Sequence, residues 1–117
     1  MKRGCALEIA LRFMARKWLV DIVWALGRHG ECGFTVLKRT IGGRISARLL
    51  AARLRELAAT GLVERRDHGT KRPSVSYRLT PDGQRIDHLL RSLERRVEGS
   101  AWASTLQALQ KLSRSQP

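Results

Sequence analysis

Behind Ser46, a residue type that caps helix N-termini, Leu50, Leu54 and Leu57 recur at helical spacing, and the run ends at Thr60. This pattern predicts a helix over 46–60. Gly61 stands where a left-handed residue closes a helix, with Leu62 placed to fold back onto its end. Upstream, FTVLKRTI at 34–41 predicts a short helix with Thr35 as its N-cap and Leu37 and Ile41 as its core pair, followed by the turn Gly42-Gly43. Two helices joined by a glycine turn make a helix-turn-helix.

Ahead of that pair, Trp18, Leu19, Ile22, Val23 and Leu26 predict a helix that Gly27 and Gly30 stop. Its other face carries Val20 and Trp24, which suit either a thicker monomer core or contact with a second subunit. Leu7, Ile9, Ala10, Leu11, Phe13 and Met14 form a shorter segment, apolar on more than one face, as in a helix packed on both sides. After residue 61 the period shortens to two. LVERRD and SVSYRL read as strands, the second with Val75, Tyr77 and Leu79 alternating against Ser76 and Arg78. Their connector HGTKRP holds Gly69 and Pro73, so they form a hairpin with a basic tip. Thr80 as N-cap, Pro81 at the first helical position and Asp82 in the first turn then start another helix with the stripe Ile86, Leu89, Leu90, Leu93 and Val97. Gly99-Ser100 interrupts it, and Trp102, Leu106 and Leu109 resume the spacing. The expected fold is mainly α with a small β-hairpin. It is a winged helix-turn-helix in one domain, 1–117, with the helix-turn-helix at about 34–60, the wing at about 62–79 and a C-terminal dimerisation helix at about 81–112.

Charge narrows the partner. In 117 residues, 23 Lys and Arg face 10 Asp and Glu, a formal charge of +13 that opposes compaction unless a polyanion relieves it. Duplex nucleic acid is the first partner to expect. No apolar run approaches the ~18 residues of a membrane span, and Glu8, Arg12, Arg16 and Lys17 interrupt the N-terminal apolar residues where a signal peptide would be continuous. The expected location is the cytoplasm, on the nucleoid when bound to DNA. Cys5 and Cys32 form no CxxC pair, and His29, His68 and His88 no HxxxH spacing, so neither a metal site nor a cofactor is expected. No Ser/His/Asp order, phosphate loop or carboxylate pair points to catalysis, so no catalytic residue is assigned.

With Leu50 marking the core direction of the 46–60 helix, Arg48, Ala51, Ala52 and Arg55 fall on the outward face, where a groove would meet them. A small outward face lets a helix enter the major groove, and arginine pairs bidentately with guanine. Base readout is therefore expected from one or two arginines, with Ser46 at the entry of the helix. Arg53 lies nearer the core edge, suited to a phosphate or to Glu56. Thr35, Lys38, Arg39 and Arg44, on the preceding helix and turn, and Arg65, Arg66, Lys71 and Arg72, on the wing, are candidate backbone contacts. Some of the four wing cations are expected to be solvated face only. The two-faced apolar helices and the 86–97 stripe predict a dimer interface containing Leu7, Leu11, Trp18, Trp24, Leu89 and Leu93. No small-molecule effector can be read from the residues.

Cys5, Lys17-Trp18 opening the second helix, Phe34 starting the third, IS…LL..RL.EL...GLVER at 45–65 and YRLTPDG at 77–83 together resemble the HxlR family of winged helix-turn-helix transcriptional regulators, similar in architecture to the MarR type. The likeness covers most of the chain, with Ala15-Arg16 where the family commonly has a glycine pair and Ala6 where it has proline. It implies a homodimer whose first and last helices form the interface, recognition helices in successive major grooves and wings on the flanking backbone. In several members the N-terminal cysteine senses oxidants or electrophiles, and Cys5 matches its position, beside the cations Lys2 and Arg3. The plainer reading of Cys5 is a small buried hydrophobe. The expected function is sequence-specific binding of double-stranded DNA by a homodimeric transcriptional regulator, redox- or electrophile-responsive through Cys5. The alternative is a winged-helix module acting through protein contacts, RNA or non-specific architectural DNA binding.

Overall fold

A computed structural model describes residues 3–42, 44–69 and 74–115. Its elements run α1 (Ala6–Ala15), α2 (Leu19–His29), α3 (Phe34–Ile41), α4 (Ala47–Ala59), β1 (Val63–Asp67), β2 (Val75–Leu79), α5 (Pro81–Val97), a 3₁₀ turn (Ser100–Trp102) and α6 (Ala103–Ser115). This is the expected helix-turn-helix followed by a two-stranded antiparallel wing. The chain divides into two units, residues 1–87 and 88–117, with the boundary inside α5.

The core of the first unit collects the apolar stripes of α2, α3 and α4. Ile22, Val23, Leu26, Leu37, Ile45, Leu50, Leu54 and Leu57 are all buried, as are Val63 and Leu79 from the wing. Each such side chain contributes on the order of 1.5–3 kcal/mol by leaving water. Both ends of α4 form as the residue pattern predicts. The Ser46 hydroxyl accepts from the Leu49 amide at 3.1 Å. At the other end Gly61, with φ of 80°, lets its own amide donate to the Ala58 carbonyl at 3.1 Å and that of Leu62 to the Leu57 carbonyl at 2.9 Å. Thr80 then joins this end to α5: its hydroxyl donates to the Gly61 carbonyl at 2.5 Å and accepts from the Gly83 amide at 3.1 Å.

Three local expectations are corrected. Gly27 does not stop α2, which continues to His29; a β-carbon at Gly27 would strike the Asp87 carboxylate, so glycine is there to let α5 approach. Trp18 lies outside the helix as its N-cap, in a left-handed conformation with φ of 76°. The cap of α3 is Gly33, and Thr35 lies within the helix. The reason is a β-bridge: Cys32 donates to the Tyr77 carbonyl at 3.1 Å and Tyr77 to the Cys32 carbonyl at 2.8 Å, holding the chain extended up to Gly33. In the single chain α1 is only partly covered. None of its residues is buried in the single chain; Phe13 and Met14 are half-buried, while Leu7, Ile9 and Leu11 are exposed.

The wing register pairs Val63 with Leu79, Glu64 with Arg78, Arg65 with Tyr77, Arg66 with Ser76 and Asp67 with Val75. Because side chains alternate across a strand, Arg65 and Tyr77 share the face of buried Val63 and Leu79, whereas Arg66 and Ser76 share the other. In the second unit, Gly99 precedes the 3₁₀ turn with φ of 142°, and α6 follows with Leu106 and Leu109 exposed.

Candidate nucleic-acid interface

The burial of Leu50, Leu54 and Leu57 fixes the rotation of α4, so the opposite face is set without further contacts. Arg48 and Arg55 are exposed there, with Ala51 and Ala52 half-buried between them. Seven residues apart, the two arginines are separated by roughly 10 Å along the axis. Ser46 is exposed, and its hydroxyl is engaged as the cap. On α3, Thr35 and Arg39 are exposed and Lys38 is half-buried; Arg44 is exposed in the turn. Lys71 and Arg72 lie outside the described residues.

Ion pairs separate the arginines into two groups. Arg53 pairs with Glu56 at 2.5 Å, the carboxylate option of the sequence reading, and Arg16 reaches the same carboxylate at 2.8 Å. On the outer face of the wing, Arg78 pairs with Glu64 at 3.1 Å. There Arg66 also binds Glu31, in the segment before α3, at 3.1 Å. Ser76 donates its hydroxyl to the same carboxylate, and His68 Nε2 lies 2.8 Å from that hydroxyl and 3.5 Å from Glu31. The Ser76 hydrogen bond, aided by Arg66, Arg78 and His68 and opposed by partial desolvation, holds the Glu31 carboxyl below the usual glutamate range. Lys38, Arg39, Arg44, Arg48, Arg55 and Arg65 form no ion pair among the described residues. Their charge remains available to an external anion.

Between α4 and the wing lies a cleft of about 300 Å³ lined by Ala51, Leu54, Arg55, Ala58, Arg65 and Tyr77. The residue pattern alone puts Arg55 and Arg65 in separate groups and gives no sign of the Tyr77 contribution. It is silent on Glu31 too. Neither residue carries a local signal for such a role, because its neighbours come from other elements.

The candidate interface residues behave unequally. Leu7, Leu11, Leu89 and Leu93 are 40–61% exposed. Trp24 and Trp18 are half-buried; the first lies under the Arg28 guanidinium at 4.0 Å and the second has the Lys17 ammonium 5.6 Å from its centroid. Ile9, Trp102, Leu106 and Leu109 are exposed apolar residues the prediction left out. Cys5 N-caps α1, its half-buried sulfur accepting from the Glu8 amide at 3.4 Å. Burial raises the pKa of the Cys32 thiol.

Residues 13–112 match the HxlR-like helix-turn-helix family. The chain belongs to that family. As an HxlR-type protein it is a winged helix-turn-helix, DNA-binding transcriptional regulator. It is 36% identical over 89 residues to a regulatory protein described as MalR from Fusobacterium mortiferum, covering 76% of this chain and 83% of that one. It is 33% identical over 94 residues to the HTH-type transcriptional regulator YtfH of Escherichia coli K12, covering 80% and 73% respectively. Among solved structures it resembles the reduced form of the transcriptional regulator YodB from B. subtilis, with a TM-score of 0.70, 27% identity and coverage of 80% of this chain and 91% of that one. YodB has also been solved diamide-treated and quinone-bound. No helix among the described residues is long and apolar enough to cross a membrane.

Proposed function

We propose that this HxlR-type chain is a sequence-specific binder of double-stranded DNA that acts in the cytoplasm as a homodimer. The observation that carries the reading is the outward face of α4: Arg48 and Arg55 stand exposed around two alanines, opposite a fully buried leucine stripe, with no carboxylate partner among the described residues. Such a face admits close approach to base edges and leaves arginine to read guanine. Lys38, Arg39, Arg44 and Arg65, together with Lys71 and Arg72 of the wing tip, serve the backbone. Dimerisation uses the exposed apolar residues of α1 and those of α5 and α6, since an isolated chain gains nothing from exposing leucines at helical spacing.

The test is selection of a duplex from a randomised pool, followed by anisotropy titration of that duplex and a scrambled one at one fixed salt. A specific-to-scrambled ratio above ~10³ is expected. Equal binding to both would defeat the sequence-reading role.

Redox response belongs to the same proposal. Cys5 sits at the N-terminus of α1, the helix assigned to dimerisation, and YodB, similar to this chain, has been solved after diamide treatment. Diamide would take two electrons and two protons from two Cys5 thiols, leaving one disulfide between subunits. Loss of operator binding with a Cys5-dependent crosslink on a non-reducing gel is expected. Unchanged binding and no crosslink would remove the sensing role while leaving DNA binding intact.

A further inference from the structure

Arg48 and Arg55 look equivalent along the helix, two turns apart on one outward face. The surroundings of α4 separate them. Ala51, Arg55 and Ala58, at positions i, i+4 and i+7, make one stripe, and all three line the 300 Å³ cleft against the wing. Arg48 and Ala52 do not line it. The opposite wall is Arg65 and Tyr77, cross-strand partners in the hairpin register and therefore neighbours on one face. Arg66, one residue on, points to the other face and is held by Glu31.

The cleft thus gathers two arginines, from two different elements, with no carboxylate among its lining residues and no ion pair for either arginine among the described residues. Other arginines, such as Arg16, Arg53, Arg66 and Arg78, do have acidic partners. Two like charges facing one cleft repel one another, and an anion between them converts that repulsion into two charge-assisted hydrogen bonds. The alanines leave the floor open, and tyrosine brings a hydroxyl donor. A base edge presents a flat pair of acceptors to one arginine; a tetrahedral oxyanion presents oxygens to donors converging from a helix and a strand.

We infer that Arg55, Arg65 and Tyr77 form a clamp for one phosphate of the DNA backbone, and that of the two outward-facing α4 arginines Arg48 alone reads a base. The inference rests on the DNA-binding reading above and deepens it. The clamp ties the wing and the recognition helix to the same phosphate, so the register of α4 in its groove is set by the strand beside it.

The experiment uses the full chain and the selected duplex, with single phosphates replaced in turn by uncharged methylphosphonates. One position in each half-site should weaken wild-type binding roughly ten- to a hundredfold. Neutralising that same phosphate should have a smaller effect in Arg55→Ala and in Arg65→Ala than in wild type, and none in the double variant. Each substitution should lower affinity for selected and scrambled duplexes by the same factor, whereas Arg48→Ala should reduce their ratio. Both altered positions are exposed, and an unchanged thermal melt verifies that the variants fold. Reduced effects at different positions in the two variants, or a loss of sequence preference in Arg55→Ala as large as in Arg48→Ala, would overturn the clamp and leave DNA binding standing. Absence of duplex binding by the wild-type chain would overturn both. Inorganic phosphate at constant ionic strength should displace duplex no better than chloride does; phosphate-specific displacement that disappears in Arg55→Ala would reassign the site to a free oxyanion and overturn the backbone role.

Discussion

The leucines of α4 and those of α6 have the same helical spacing and opposite fates. Leu50, Leu54 and Leu57 are 0–2% exposed, whereas Leu106 and Leu109 are 37% and 52% exposed. The contrast teaches that an apolar stripe records the need for a cover and carries no information on whether the same chain supplies it. In α4 the cover comes from the rest of the first unit. For α6 we assign it to a second copy.

The largest effect that would sharpen this contrast is in the buried stripe. Leu50→Ala should destabilise the chain by about 2–5 kcal/mol, from lost transfer energy plus a cavity, in denaturant unfolding of wild type and variant. A change below ~1 kcal/mol would contradict its place in a packed core. Leu109→Asp comes next. It should weaken self-association by about 2 kcal/mol or more, as for a buried interface anchor, with the unfolding of the first unit unchanged. Light scattering across a dilution series reads this directly, and an association constant equal to wild type would move the interface away from α6.

Smaller effects follow at the edges of the helix-turn-helix. Ser46→Ala removes the acceptor of the Leu49 amide and should cost about 1 kcal/mol in thermal unfolding. If stability is unchanged, the cap hydrogen bond carries no net weight. The smallest effect concerns Glu31, the tie of the wing. Its carboxyl is held below the usual range, so its contribution is present above the unfolded-state value of about 4.3 and is lost as pH falls through the lower folded value. Protection of the β1 and β2 amides, measured relative to their intrinsic exchange rates at each pH, should therefore fall on acidification below about pH 4.3. In Glu31→Gln that acid-dependent step should disappear, and an identical profile in both proteins would show that the wing is held by other contacts.

Much of the fold can be read in the residue pattern because its signals are local. Ser46 caps α4, Gly61 closes it and Thr80-Pro81 opens α5, since each acts on backbone groups within four residues. The same logic failed where a distant element intervened. Gly27 looks like a helix stop, yet it serves the approach of Asp87, sixty residues away along the chain. Gly83 is similar: a β-carbon there would collide with the Leu62 carbonyl, a constraint its own segment does not reveal. Thr35 is a good capping residue in the wrong place, because the Cys32–Tyr77 bridge decides where α3 starts.

The candidate site divides along the same line. Helical periodicity, which is a property of the backbone, determined that Arg48, Ala51, Ala52 and Arg55 oppose the leucine stripe. The amino-acid composition determined that an excess of cations must meet an anion. Only the tertiary structure decided which cations are already neutralised, because Glu31 and Arg66, like Glu56 and Arg16, lie far apart in the chain and meet by folding. It also brought Arg55 and Arg65 to one cleft, since the hairpin register and the packing of α4 against β1 place their side chains, and neither is encoded within a turn of either residue.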